Sequence, residues 1–190
     1  MPNSWQARGT LLVEDRRTER FFRHLIECSG GNLRRVRVVV APAGSGSAEA
    51  WVRKQYPQHV QFLRSNNFQN LFLLACRDGD AVGVVRRKAE MDEALREAGK
   101  PVREPSEAIS LPVPTWSIEN WLLALLEEPR IDEARDAATL GLKWKHLFEQ
   151  KYGDTEGEAL KTAANAWSET GTDLLPSLAD GREEFKRIWI

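Results

Sequence analysis

Sulfur and histidine are scarce in this chain of 190 residues, which has two cysteines, two methionines and three histidines. Cys28 and Cys76 belong to no Cys-x-x-Cys and no Cys/His cluster, which argues against a zinc site. Each falls in an apolar setting, the pattern of buried, reduced thiols in a cytoplasmic protein. His24, His59 and His146 are too scattered to suggest histidine-based catalysis. No run approaches the ~18 apolar residues of a membrane-spanning helix, and the opening MPNSWQARGT lacks the apolar stretch of a signal peptide. Ala43-Gly44-Ser45-Gly46-Ser47 is the one flexible-looking loop, and it is too short for a P-loop and has no Lys. With 13 glycines, no internal repeat and no low-complexity segment, the chain is neither fibrous nor disordered.

What is present fits a globular fold, with 42% hydrophobic and 29% charged residues. At ~150 residues per domain the length predicts one domain, and such a chain buries roughly 70% of its unfolded surface without help from metal or disulfide. The net charge of −1 hides a split. Residues 1–110 carry a net +5 and residues 111–190 a net −6. A local basic face in the first half is compatible with nucleic acid, although neither half has the charge of a nucleic-acid coat.

Four short apolar runs read as strands: Thr10–Val13, Val36–Val40, Leu71–Cys76 and Ile109–Val113. Helical periods lie between them, over Thr18–Cys28, Ser47–Leu63 (with Tyr56-Pro57 as a break) and Val84–Ala98 before Gly99. This alternation predicts an α/β fold, with a mostly parallel four-stranded sheet flanked by helices over residues 1–126. The rest reads as helical: Ile118–Leu126, Lys143–Tyr152, Gly157–Ser168 and Asp180–Ile190. Residues 127–190 are expected to form a helical C-terminal extension packed on the same domain.

In an open parallel sheet, ligands bind beyond the carboxyl ends of the strands. Three of the four predicted strands run into acid there: Val13 into Glu14-Asp15, Cys76 into Arg77-Asp78-Gly79-Asp80, and Val113, after a short turn, into Ser117-Ile118-Glu119. Taken singly these are a helix-opening pair, an Asp-Gly turn and a helix first turn. Together they gather carboxylates whose mutual repulsion a cation would relieve. All-oxygen ligands favour Mg²⁺ or Mn²⁺.

The order of these pieces resembles the Toprim domain, the topoisomerase–primase α/β module, over residues 10–126. Glu14 stands for its Glu after the first strand and Asp78-Gly79-Asp80 for its Asp-x-Asp after the third. Ser117-Ile118-Glu119 is similar to the later Ser-x-Glu of Toprim nucleases of the OLD (overcoming lysogenization defect) type. Glu119-Asn120-Trp121-Leu122-Leu123 is similar to a segment of small stand-alone Toprim-like proteins of bacterial defence and mobile loci. The family's Glu-Gly is Glu14-Asp15 here, and the acid often found four residues on is Thr18, with Glu19 adjacent. Shorter resemblances exist: Leu11–Asp15 with its helix resembles a response-regulator receiver, and Asp78-Gly79-Asp80-Ala81-Val82 a haloacid-dehalogenase-type phosphatase.

The Toprim resemblance implies metal-dependent cleavage of phosphodiester bonds. Glu14, Asp78, Asp80 and Glu119 would be the metal ligands and catalytic groups for one or two ions, with Glu14 as an alternative general base. Arg16, Arg17, Arg77, Arg86 and Lys143 are the candidate nucleic-acid contacts, drawn from a basic stretch that includes Arg20, Arg23 and Arg34-Arg35-Arg37, from the helix after Asp80 with Arg87 and Lys88, and from the helical part with Lys145. Of the seven tryptophans, Trp116 beside Glu119 is the candidate for base stacking. Expected partners are DNA or RNA and, since there is no Walker motif, an ATPase on a separate chain; a homo-oligomer is compatible with the same reading, and no membrane is implied. The competing expectations are a Toprim-like binding module without catalysis, and an Asp-based phosphatase or phospho-receiver.

Overall fold

The apolar runs pair into one sheet whose two faces sort their residues by alternation. The computed structural model describes residues 7–43, 47–66, 69–80, 82–128, 131–133, 143–169 and 175–188. Strands β1 (Arg8–Val13), β2 (Val36–Val40), β3 (Leu71–Cys76) and β4 (Ile109–Ser110) form a four-stranded sheet in the order β2-β1-β3-β4, with every pairing parallel. Helices α1 (Arg16–Cys28), α2 (Ala48–Ser65) and α3 (Val84–Glu97) supply the crossovers. Helices α4 (Ile118–Leu125), α5 (Trp144–Tyr152), α6 (Glu156–Glu169) and α7 (Pro176–Lys186) follow.

On one face Leu12, Leu73 and Ala75 pack with Val52, Tyr56, Val60 and Leu63 of α2 and Met91 and Leu95 of α3. On the other, Leu11, Val13, Phe72, Leu74 and Cys76 share a core with Phe21, Phe22, Leu25 and Ile26 of α1 and with apolar residues of α4 to α7. Burial on both faces explains why these strands read as unbroken apolar runs rather than alternating ones. Gly181 lets α7 approach α4, since a Cβ there would stand 2.4 Å from the Trp121 ring. The Trp121 indole N–H donates to Ser177 Oγ at 2.6 Å.

Four expectations differ from the structure. Pro57 does not break α2, which runs through it from Ala48 to Ser65. An interior proline costs ~3 kcal/mol, whereas burying Val52, Val60 and Leu63 contributes roughly 4.5–9 kcal/mol, so packing prevails. β4 pairs only over Ile109–Ser110, because Pro112, which has no N–H to donate, falls in the expected remainder up to Val113. Cys28 is exposed, its thiol donating to Asn165 Oδ1 at 2.9 Å, while Cys76 is buried as expected. The last helix begins earlier than expected, with Pro176 in its first turn. Residues 44–46 of the glycine-serine loop lie outside the described residues. Among the described residues, no helix is long and apolar enough to cross a membrane.

Candidate functional site

The strand order makes β1 and β3 neighbours whose following connections diverge, β1 leading to β2 on one side and β3 to β4 on the other. That divergence opens a crevice at their carboxyl ends. The register pairs Val13 with Cys76, so Glu14 and Arg77 leave the sheet side by side. Asp15 serves as the N-cap of α1, accepting the Thr18 N–H at 2.8 Å. Glu14 turns the other way, and its Oε1 accepts the backbone N–H of Asp78 at 3.3 Å.

The Asp78–Asp80 turn is braided with the segment leading to α4. Asp78 Oδ1 accepts the Ile118 N–H at 3.1 Å, and the Asp80 N–H donates to the Trp116 carbonyl at 2.9 Å. A Cβ on Gly79 would lie 2.1 Å from the Thr115 carbonyl oxygen, so this close crossing requires glycine. Asp80 adopts a left-handed φ of 44°, a conformation that costs strain but is tolerated best by Asp and Asn outside glycine.

Two arginines fill the floor. Arg87 Nε donates to the Asp78 carbonyl at 3.1 Å, and its Nη2 lies 3.5 Å from Asp80 Oδ2. Its other terminal nitrogen binds Glu49 and Glu90. Arg77 is buried and reaches Glu49 at 2.6 Å and Glu90 at 3.3 Å, with Glu14 at 3.9 Å from its Nε. Glu49 and Glu90 were not singled out by sequence. Glu49 had a signal: it sits in the first turn of α2, right after the loop that leaves β2 at the same sheet edge.

The carboxylates crowd one another. Burial pushes Glu14 up to about 7, Asp80 and Glu49 add to that, and Arg77 and the Asp78 N–H oppose it. Asp78 is pushed well above the ordinary carboxylate range by burial first, then by Glu14, Asp15, Glu119 and Asp80. Asp80 is raised by burial against the opposing pull of Arg87.

Glu119 acts on Asp78 through its charge but is itself held by Arg17. It is 4% exposed, and Arg17 Nη1 donates to its Oε1 at 2.5 Å. Arg17 also binds Glu149 and Glu156 and lies over the Phe148 ring at 4.9 Å. It therefore ties α1 to α4, α5 and α6, with both terminal nitrogens committed to carboxylates and its Nε buried without a partner. Arg16 is exposed but bonded to Glu19 at 2.8 Å, and Glu19 also takes Arg23, so Glu19 is turned along α1 rather than toward Glu14. Thr18 is buried. Arg86 and Lys143 are exposed. Trp116 is half-buried, beside the turn rather than open to it.

The donor chemistry suits a hard divalent cation: Glu14, Asp78 and Asp80 offer oxygen alone, with proton affinities raised by burial first and then by neighbouring carboxylates. Among the described residues, however, no three His, Cys, Asp or Glu side chains already stand in a metal-holding group. Asp80, with its side chain 53% exposed, is the member with room to turn inward.

No protein-family model matches the chain, and no curated protein does. Among solved structures the chain is similar to the C-terminal region of the Burkholderia pseudomallei OLD protein, at 15% identity with a TM-score of 0.44, covering 97% of this chain and 98% of that one. It is also similar to the C-terminal region of the Xanthomonas campestris pv. campestris OLD protein, at 16% identity with a TM-score of 0.37, covering 97% and 95%. At such identities, function rests on the residues of the site itself.

Proposed function

We propose that the chain is a Toprim-type, metal-dependent hydrolase of phosphodiester bonds in nucleic acid. The observation that carries this reading is the placement of Glu14 beside Asp78 at the divergence of β1 and β3, both with raised proton affinity. Glu14, Asp78 and Asp80 would hold Mg²⁺ or Mn²⁺. A bound divalent ion supplies charge for the phosphate oxygens and acidifies a coordinated water.

The chain's own groups account for the remaining needs. Glu14 would either complete the shell of the ion or, left free of it, accept a proton from the attacking water. Arg87, fixed between the Asp78 carbonyl and Asp80 and also bonded to Glu49 and Glu90, holds the Asp78–Asp80 turn in place and balances the carboxylate charge of the edge. Glu119 acts through the scaffold: with Arg17 it fixes the first turn of α4, whose Ile118 N–H orients the Asp78 carboxylate. Arg86 and Lys143, both exposed, are the contacts left for a phosphate backbone. A setting in bacterial defence or a mobile element, with an ATPase on a separate chain, extends the same reading.

The test is cleavage of DNA and of RNA with Mg²⁺ or Mn²⁺, by the chain alone and with an ATPase encoded beside it. Wild type should cut, and Asp78→Asn should lose at least about 100-fold, the scale of losing a group that stabilises transition-state charge. Equal behaviour of the two proteins would sink the proposal. A second reading, a binding module without catalysis, is favoured by the lack of a ready-made three-carboxylate group among the described residues and by Thr18. Binding of nucleic acid that is indifferent to Mn²⁺ would select it.

A further inference from the structure

The opposite end of the sheet carries a cavity of the opposite charge. It has a volume of roughly 230 Å³ and lies between the amino ends of β1, β2 and β3 and the last turns of α2. Arg8, Arg35, Arg37 and His59 line it, and among the described residues no acidic one does. Arg8 and Arg37 are exposed, and among the described residues no ion pair engages either. Phe62, 56% exposed, stands in the same lining.

We propose that this cavity binds a mononucleotide, with the phosphate on Arg8, Arg37 and His59 and the base against Phe62. Like charges held together are costly, and an anion between them removes that cost. His59 registers the same field: burial first, and Arg37 second, hold its pKa below the ordinary value. The carboxyl end of α2 opposes an anion, but with only about half a charge, against the guanidiniums of Arg8 and Arg37. The aromatic face and the arginines together match a nucleotide, because every base offers a π-face for stacking and the phosphate takes charge-assisted hydrogen bonds. The volume is below the ~300 Å³ at which pockets begin to enclose drug-sized ligands, so one nucleotide would sit partly in the open.

The test is calorimetric titration of the full chain with 5′-AMP, adenosine and inorganic phosphate, in EDTA so that no metal-bridged phosphate forms at the acidic edge. This site does not depend on the acidic edge, and its failure would leave the hydrolase reading standing. AMP should bind saturably, and adenosine and phosphate each about tenfold or more weaker. Arg37→Gln and Arg8→Gln, both at exposed positions, should weaken AMP by about tenfold each. Phe62→Ala should weaken AMP by about tenfold and leave inorganic phosphate unchanged. No saturable AMP binding at millimolar concentration, or binding unaffected by both arginine variants, overturns the proposal. Phosphate binding as tightly as AMP, with Phe62→Ala silent, overturns its assignment to a nucleotide.

Discussion

The Glu14 carboxylate accepts the backbone N–H of Asp78 at 3.3 Å, across the line where β1 and β3 part. This one bond joins the first and second acidic motifs, which are 64 residues apart in sequence. The bond itself favours the ionised Glu14, whereas burial first, and the charges of Asp80 and Glu49 after it, favour the protonated form.

Glu14 supplies the first prediction. In the folded protein it keeps its proton to about pH 7, whereas its ordinary value is 4.5. Between those values the folded chain binds more protons than the unfolded one, so stability falls as pH rises. Glu14→Gln removes this ionisation. Urea denaturation should find the variant more stable than wild type at pH 8, by on the order of 1–3 kcal/mol, with the gap closing toward pH 4.5. A gap that is constant with pH would show that Glu14 is not held protonated.

The opposite sign applies to Glu184. Arg103, Lys88 and the Leu111 N–H hold its pKa at about 2 in spite of the opposing effect of burial. Its contribution is therefore complete above pH 4.5 and lost as pH falls toward 2. Glu184→Gln should lower stability at pH 7 by on the order of 2–3 kcal/mol. The same substitution should be nearly silent at pH 2, as followed by circular dichroism.

Arg17 and Glu119 form a nearly buried pair, so removing one partner leaves a charge without compensation. Arg17→Met should destabilise by ~3–5 kcal/mol. Adding Glu119→Leu should recover part of that loss. A double-mutant cycle without coupling would mean that Arg17 acts only through Glu149 and Glu156.

Gly79→Ala drives a methyl group into the Thr115 carbonyl. The backbone must shift, with an expected loss of ~1–3 kcal/mol and, because Asp78 is held by Ile118 in the same crossing, a larger loss of cleavage than of stability. Thermal denaturation together with the cleavage assay separates the two effects.

The strands were legible because β2 and β3 are short apolar runs with polar ends, and their observed bounds, Val36–Val40 and Leu71–Cys76, coincide with the sequence reading. Pro57 was misleading because local propensity was weighed without the buried face of α2. Arg87, rather than Arg86, faces the acidic edge. Its phase was available in the sequence, since Arg87, Met91 and Leu95 are four residues apart and form the buried stripe of α3. The engagement of Arg17 could not be read that way: its partners lie 102, 132 and 139 residues further along the chain, on helices whose packing no local pattern specifies. The basic stretch was visible, but not that Arg35 and Arg37 face a cavity at the far end of the sheet from Glu14.

The central claim is that Glu14, Asp78 and Asp80 together hold a divalent cation, and calorimetric titration with Mn²⁺ above pH 7, where Glu14 is ionised, tests it most directly. The wild-type chain should bind Mn²⁺ saturably, and Asp78→Asn should bind it at least about tenfold more weakly. Equal heats from the two proteins, or no saturation of the wild type at millimolar Mn²⁺, would contradict it.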